Sequence, residues 1–366
     1  MNDLRNLPGD PLDSVAIRAQ FPVLQREIKG HRMAFLDSAA SSQKPQRVID
    51  SMSRFYETIN ANVHRGVYEI SEQSTTAVEQ ARRDIARFIG AADAAEVVFT
   101  KNATESLNLV AGSWGRANLG PGDAIVLSML EHHANIVPWH MLAAEKGFEI
   151  RWIPLTDDAQ LDLSSLDTLL DGAKLVGVTA AANVTGTLTP VRRIADVAHQ
   201  AGAVVCVDAC QFVPHSRCDV EALGADFLAF SGHKMCGPTG IGVLWGRRTL
   251  LEEMPPFLGG GSMIRDVRLD GFTANEIPHK FEAGTPPIAE IIGLGEAVAF
   301  LEELGMDNVL AHEQAMSAYA FRTLTERFGE RLTIHGPAEP GQRAGVMSFA
   351  LGDVHPHDVS QILDEH

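Results

Sequence analysis

The sequence lacks any long apolar run, any basic cluster and any cysteine pair with the spacing of a disulfide framework or a zinc ribbon. The longest apolar stretches, such as Ala203-Val204-Val205-Cys206-Val207, fall far short of the ~20 residues that a helix needs to span a bilayer. The opening MNDLRNLPGDPLDS is polar and carries Pro and Gly where a signal peptide needs an apolar core. Both absences predict a cytoplasmic protein. With a formal net charge of −17, the chain repels phosphate backbones and anionic lipid, so neither nucleic acid nor membrane is expected as a partner. The four cysteines, Cys206, Cys210, Cys218 and Cys236, stand at spacings of 4, 8 and 18 with no CxxC, and are read as reduced, mostly buried thiols.

What is present is ordinary globular material. Hydrophobic residues make up 45% and charged residues 21% of 366, enough for one large core and a smaller second unit. No internal repeat or low-complexity tract interrupts it. Short β-rich runs alternate with helical stretches, the mark of a mainly parallel sheet covered on both faces. The predicted strands are Val97 to Thr100, Ala124 to Ser128, Glu149 to Pro154, Leu175 to Thr179, Val204 to Asp208, Phe227 to Ser231 and Ile241 to Trp245.

Among the helices, Ser71 is read as the N-cap of one that buries Val78, Ala81, Ile85, Phe88 and Ile89, with Gly90 as its stop. A second runs from Pro45 through Val48, Met52 and Phe55. A Gly/Pro-rich stretch, Pro255 to Gly261, precedes a helix on Ile291, Leu294, Ala297, Val298, Leu301 and Leu304. Beyond it the pattern predicts a helix from Asp307 to Phe328, a strand at Val346 to Leu351 and a helical end. The expected units are an N-terminal arm (1–36), a large domain (37–290) and a small C-terminal domain (291–366).

In a parallel sheet the functional groups stand beyond the carboxyl ends of the strands. One run ends in Asp208, and the next ends in Ser231-Gly232-His233-Lys234. A carboxylate at a buried strand end pairs with an arginine, caps the following helix or meets a cationic ligand. The pyridinium nitrogen of pyridoxal phosphate (PLP) is such a cation, and an amine lowered in pKa by desolvation is what a Schiff-base lysine requires. Asp208 and Lys234 at neighbouring strand ends are far more specific together than either alone. The phosphate wants a helix N-terminus, and Lys101-Asn102-Ala103-Thr104 offers one, with Thr104 as cap, phosphate donor or both. Ser231 and His233 are further donors. In Glu131-His132-His133-Ala134-Asn135 an imidazole is placed to stack on a ring. Adjacent histidines point apart, so no metal site is read there. Asn183 follows another strand and either bonds the ring's phenolic oxygen or closes an Asx-turn.

The order of these motifs resembles the group II, Suf-type cysteine desulfurases and selenocysteine lyases of the class-V aminotransferase family, fold-type I PLP enzymes. The resemblance covers nearly the whole chain. It rests on Phe21-Pro22-Val23-Leu24, Leu36-Asp37-Ser38-Ala39-Ala40, Val63-His64-Arg65-Gly66, the Glu131 to Trp139 segment, Ser231-Gly232-His233-Lys234, Gly259 to Ile264 and Phe281 to Pro286. It implies Lys234 as the cofactor lysine, His132 stacked on the ring, Asp208 at the pyridinium and Gln211 at the phenolic oxygen. Ala103, Thr104, Ser231 and His233 would hold the phosphate. It further implies a homodimer in which Thr285 reaches the neighbouring subunit's phosphate, His64 and Arg65 near the substrate entrance, and a sulfur-acceptor protein that feeds iron–sulfur cluster assembly.

The family's nucleophilic cysteine lies in an Arg-x-Gly-His-His-Cys segment, which does not occur in these 366 residues. A substrate-carboxylate arginine belongs to the same segment, and the small domain is accordingly expected to be incomplete and marginally stable. Three readings follow: a desulfurase belonging to a longer product, a selenocysteine lyase or other β-lyase without the persulfide step, and an inactive PLP-binding dimeric scaffold.

Overall fold

The computed structural model describes residues 11–365. We label the strands of its main sheet β1 (Val97–Thr100), β2 (Ala124–Ser128), β3 (Glu149–Ile153), β4 (Ala173–Thr179), β5 (Val204–Asp208), β6 (Phe227–Ser231) and β7 (Gly242–Gly246). Their spatial order is β1-β7-β6-β5-β4-β2-β3. All neighbours are parallel except β7, which runs antiparallel to both β1 and β6. All seven strands read from the sequence are present, with ends shifted by at most two residues.

Alternation along each strand splits the core in two. Val97, Phe99, Val126, Val176, Val178, Val205, Val207, Leu228, Phe230, Val243 and Trp245 face one helical layer. Val98, Ile125, Leu127, Leu175, Cys206, Phe227, Ala229 and Leu244 face the other. The strands read as unbroken apolar runs because both faces are covered.

The helices that bear on the site are α1 (Gln46–Thr58), α2 (Glu69–Phe88), α3 (Ala103–Leu109), α4 (Val137–Lys146), α5 (Ile288–Leu304) and α6 (Met306–Phe328). Helix α3 continues through a π-helical turn, Val110–Gly115, to Asn118. Two capping assignments are corrected. Ser71 does not start α2 but lies inside it, fully buried, its hydroxyl donating to the Asn62 carbonyl at 2.8 Å. Its burial comes from a turn that only the tertiary fold brings over it. Helix α3 is capped by Asn102, whose side chain accepts from Glu105 N at 3.0 Å, rather than by Thr104.

Helix α5 packs on α1 and α2, and its Ile291, Leu294 and Val298 join the core beneath the sheet. Helix α6 buries no residue completely. We therefore propose that the boundary between the units lies at the Gly305 turn, beyond the 290/291 division expected from sequence. Beyond α6, Leu332–His335 pairs antiparallel with Ser348–Leu351, and Pro356–Glu365 is helical. The described part of the N-terminal arm lies against this end of the molecule. Phe21 meets Phe300 edge-on at 5.7 Å, and Lys29 pairs with Asp364 at 2.7 Å. Among the described residues, no helix is long and apolar enough to cross a membrane.

Candidate active site

The carboxyl ends of β1, β2, β4, β5 and β6 are Thr100, Ser128, Thr179, Asp208 and Ser231, all buried. Of these, Thr179, Asp208 and Ser231 line a cavity of about 490 Å³ together with Ala103, Thr104, His132, Asn183, Gln211, His233 and Lys234 among others. The nine candidate site residues among them share one space. Thr285, His64 and Arg65 lie outside this lining. Thr285 is exposed, and Arg65 sits beside Gly261.

Lys234 ends a 3-10 turn, Gly232–Lys234, that follows β6 directly. That turn is pinned from both sides by the start of the chain. The His233 carbonyl accepts from Ser42 N at 3.0 Å and from Lys44 Nζ at 3.1 Å, and Cys236 N donates to the Ser42 hydroxyl at 2.7 Å. A side chain mounted on a backbone held this way can meet a ligand at a fixed position.

Asp208 is 3% exposed and accepts from Cys210 N at 3.0 Å. It forms no ion pair among the described residues, so the structural alternative of an arginine partner does not apply. Gln211, 2% exposed, donates from Nε2 to the Ala39 carbonyl at 2.7 Å while its Oε1 is buried without a hydrogen-bond partner. A buried carboxylate without a counter-ion and a buried acceptor without a donor are both costly unless a ligand completes them.

His132 projects into the cavity with its ring accessible. Its Nδ1 accepts from Ala134 N at 3.1 Å, which places the ring proton on Nε2. Burial lowers its pKa, opposed by Asp208 and reinforced by Lys234 and His133, so the ring is neutral at physiological pH. Burial likewise lowers the pKa of His233, as do the neighbouring Lys234 and Lys44. Ser231 accepts from Ala103 N at 2.9 Å, joining the end of β6 to the first turn of α3. Gly242 makes that approach possible, because a Cβ there would stand 2.5 Å from the Asn102 backbone.

Beneath His132 lies a residue to which sequence reading gave no role. Glu131 is 8% exposed and receives hydrogen bonds from the Ser128 hydroxyl, from Asn135 Nδ2 at 2.7 Å and from Thr179 N at 2.6 Å. Asn135 in turn accepts from Trp139 Nε1 at 3.2 Å. The carboxyl group thus ties the ends of β2 and β4 to the turn that carries His132. Burial pushes its pKa up to about 8, against the pull of its donors. Asp37, Ala39 and Ala40, quoted above only as a motif, form another wall of the cavity.

The four thiols are all unsuited to attack at neutral pH. Burial raises Cys206 and Cys210 well above the ordinary range, Cys218 to about 12 and Cys236 to about 11.

A seven-stranded, mostly parallel α/β sheet with a lysine and a lone carboxylate at adjacent strand ends defines the fold-type I PLP enzymes. The comparisons narrow this. Residues 34–366 match the model of the family described as aminotransferase class-V, and the chain belongs to that family. A probable cysteine desulfurase of Streptomyces coelicolor is 51% identical over 99% of this chain and 87% of its own length. A cysteine desulfurase of Haloferax volcanii is 46% identical over 97% of this chain and 86% of its own. Among solved structures, the apo cysteine desulfurase of Thermococcus onnurineus superposes with a TM-score of 0.91 at 38% identity, covering 96% of this chain and 86% of that one.

Proposed function

We propose that this protein is a PLP-dependent cysteine desulfurase that removes sulfur from L-cysteine and leaves L-alanine. The observation that carries the reading is the cavity at the strand ends, where Lys234 stands with an Asp208 carboxylate that has no counter-ion and a Gln211 acceptor that has no donor. PLP fits these groups. Lys234 would hold it covalently, Asp208 would keep its ring nitrogen protonated, and Gln211 and Asn183 would face its phenolic oxygen. Ala103, Thr104, Ser231 and His233 would take its phosphate, and His132 would stack on its ring. When bound, the cofactor supplies an electron sink for the substrate Cα.

The protein's own part is positional and protolytic. Asp208, itself buried, presents a carboxylate in low-dielectric surroundings, where a charge acts more strongly than in solvent. Lys234, held by the Ser42–His233 contacts, is the base placed to move the Cα proton. Neutral His132, with its proton on Nε2, is the second group able to carry one. None of the four thiols is ionised at neutral pH, so the sulfur passes to an acceptor thiol outside them. We assign the protein to the Suf-type, group II branch, acting as a cytoplasmic homodimer in which Thr285 reaches the neighbouring subunit's phosphate and His64 and Arg65 lie near the substrate entrance. A small sulfur-acceptor protein that serves iron–sulfur cluster assembly is its expected partner. The exposed positions of Thr285, His64 and Arg65 support this arrangement.

Borohydride treatment of the PLP-loaded protein should leave the cofactor covalently on Lys234, read by peptide mass. A Lys234→Ala protein that retains the same visible absorbance would overturn the assignment. Product analysis with L-cysteine and L-selenocysteine then reads the chemistry. Alanine with sulfide from cysteine supports desulfuration, and alanine from selenocysteine alone points to the lyase.

A further inference from the structure

Beside α2, three side chains from separate elements converge. His64 lies in the turn before α2, Glu79 on α2 itself, and His279 in the 3-10 turn His279–Phe281. One nitrogen or oxygen from each lies within 4.8 Å of the other two. His64 Nε2 is 3.5 Å from Glu79 Oε1, and the two imidazole rings meet edge-on at 4.9 Å. We propose that these residues form a binding site for a zinc-class divalent metal ion, with His64 shared between it and the substrate entrance assigned above.

Two imidazoles and one carboxylate are a recognised zinc donor set that leaves a fourth position open for water. The flanking groups are arranged as a metal site needs. Glu282 Oε2 lies 3.6 Å from His279 Nδ1, the side from which a carboxylate orients a metal-binding ring, so Nε2 remains free for the ion. Arg82 Nε donates to Glu79 Oε2 at 3.3 Å and steadies that carboxylate. The charge of Arg82 is itself balanced by the paired contacts of Glu282, at 2.7 and 3.0 Å. With neutral histidines the set carries one excess negative charge.

The donors must draw together to the ~3.4 Å separation set by metal bonds of about 2.1 Å. All three side chains are partly solvent-exposed, at 28 to 34% for Glu79, His279 and His64, so rotamer changes suffice. His64 already holds a positive φ of 63°. A bound ion would join the turn before α2 to the turn that leads into Glu282 and Thr285.

The test uses the full-length, PLP-loaded protein after treatment with a chelator. Titration with Co(II) should give a tetrahedral absorption band saturating at one ion per chain, displaced by Zn(II), and Zn(II) should raise the melting temperature. His279→Ala and Glu79→Gln should each weaken binding at least tenfold. His64→Asn should do the same, and asparagine tolerates the positive φ, so the turn is preserved. A second readout needs no variant: Zn(II) should protect His64 and His279 from diethyl pyrocarbonate, scored by peptide mass. No band, a band that survives these substitutions, or unchanged labelling of both histidines would overturn the proposal.

Discussion

Replacing Glu131 by glutamine tests whether the group beneath His132 is held as a neutral acid. Its pKa in the fold is pushed up to about 8 from the ordinary glutamate value of 4.5, burial being the main cause. Between these values the native state keeps a proton that the unfolded chain has released. Stability must therefore fall as pH rises, at about 1.4 kcal/mol per pH unit. From roughly pH 6 to 7.5 this one group should remove about 2 kcal/mol from the cofactor-free protein. Glutamine cannot titrate, so its variant lacks that slope. It pays a separate cost, because three donors converge on the carboxyl oxygens and one must face the new amide N–H. That mismatch is worth about 1–3 kcal/mol at any pH.

The wild type should thus be more stable than Glu131→Gln by about 1–3 kcal/mol at about pH 6, with the gap shrinking by about 2 kcal/mol at about pH 7.5. Urea unfolding of the cofactor-free proteins at both pH values measures it. A gap that stays constant or widens with pH would refute the reasoning, since it would mean that the donors hold Glu131 ionised.

Arg82 is buried between Glu282, Glu79 and the Val97 carbonyl, its guanidinium 4.3 Å above the Phe99 ring. Burial opposes the charge on Glu282, but the Arg82 contacts and the Phe99 N–H hold its pKa down to about 2. Arg82→Met should therefore destabilise by about 3–5 kcal/mol in urea titrations, with partial recovery when Glu282→Gln is added; a loss below about 1 kcal/mol would contradict this. Gly242→Ala should cost about 1–3 kcal/mol and weaken PLP binding, measured by cofactor fluorescence, because its Cβ meets the Asn102 backbone at the start of α3. Gly259→Ala, with nothing within 4 Å of the added Cβ, should leave both unchanged.

Local chemistry in the sequence determined the seven strands and most of the helices. Buried parallel strands are unbroken apolar runs, and the polar residue ending each run marks the sheet edge, which made Asp208, Ser231 and Lys234 visible before any fold was known. The cap at Asn102, the interior position of Ser71 and the packing of α5 were not legible in that way. Each depends on which distant segment lies against it. The same holds for Glu131, whose meaning comes from Thr179 and Asn135 arriving at one point. It holds also for His64, Glu79 and His279, which share no spacing and meet only because α2 and the turn after the long loop are packed side by side. Periodicity and strand ends are properties of neighbouring residues, so the sequence carries them; the pairing of donors, charges and metal-binding atoms across hundreds of residues was decided by the tertiary structure alone.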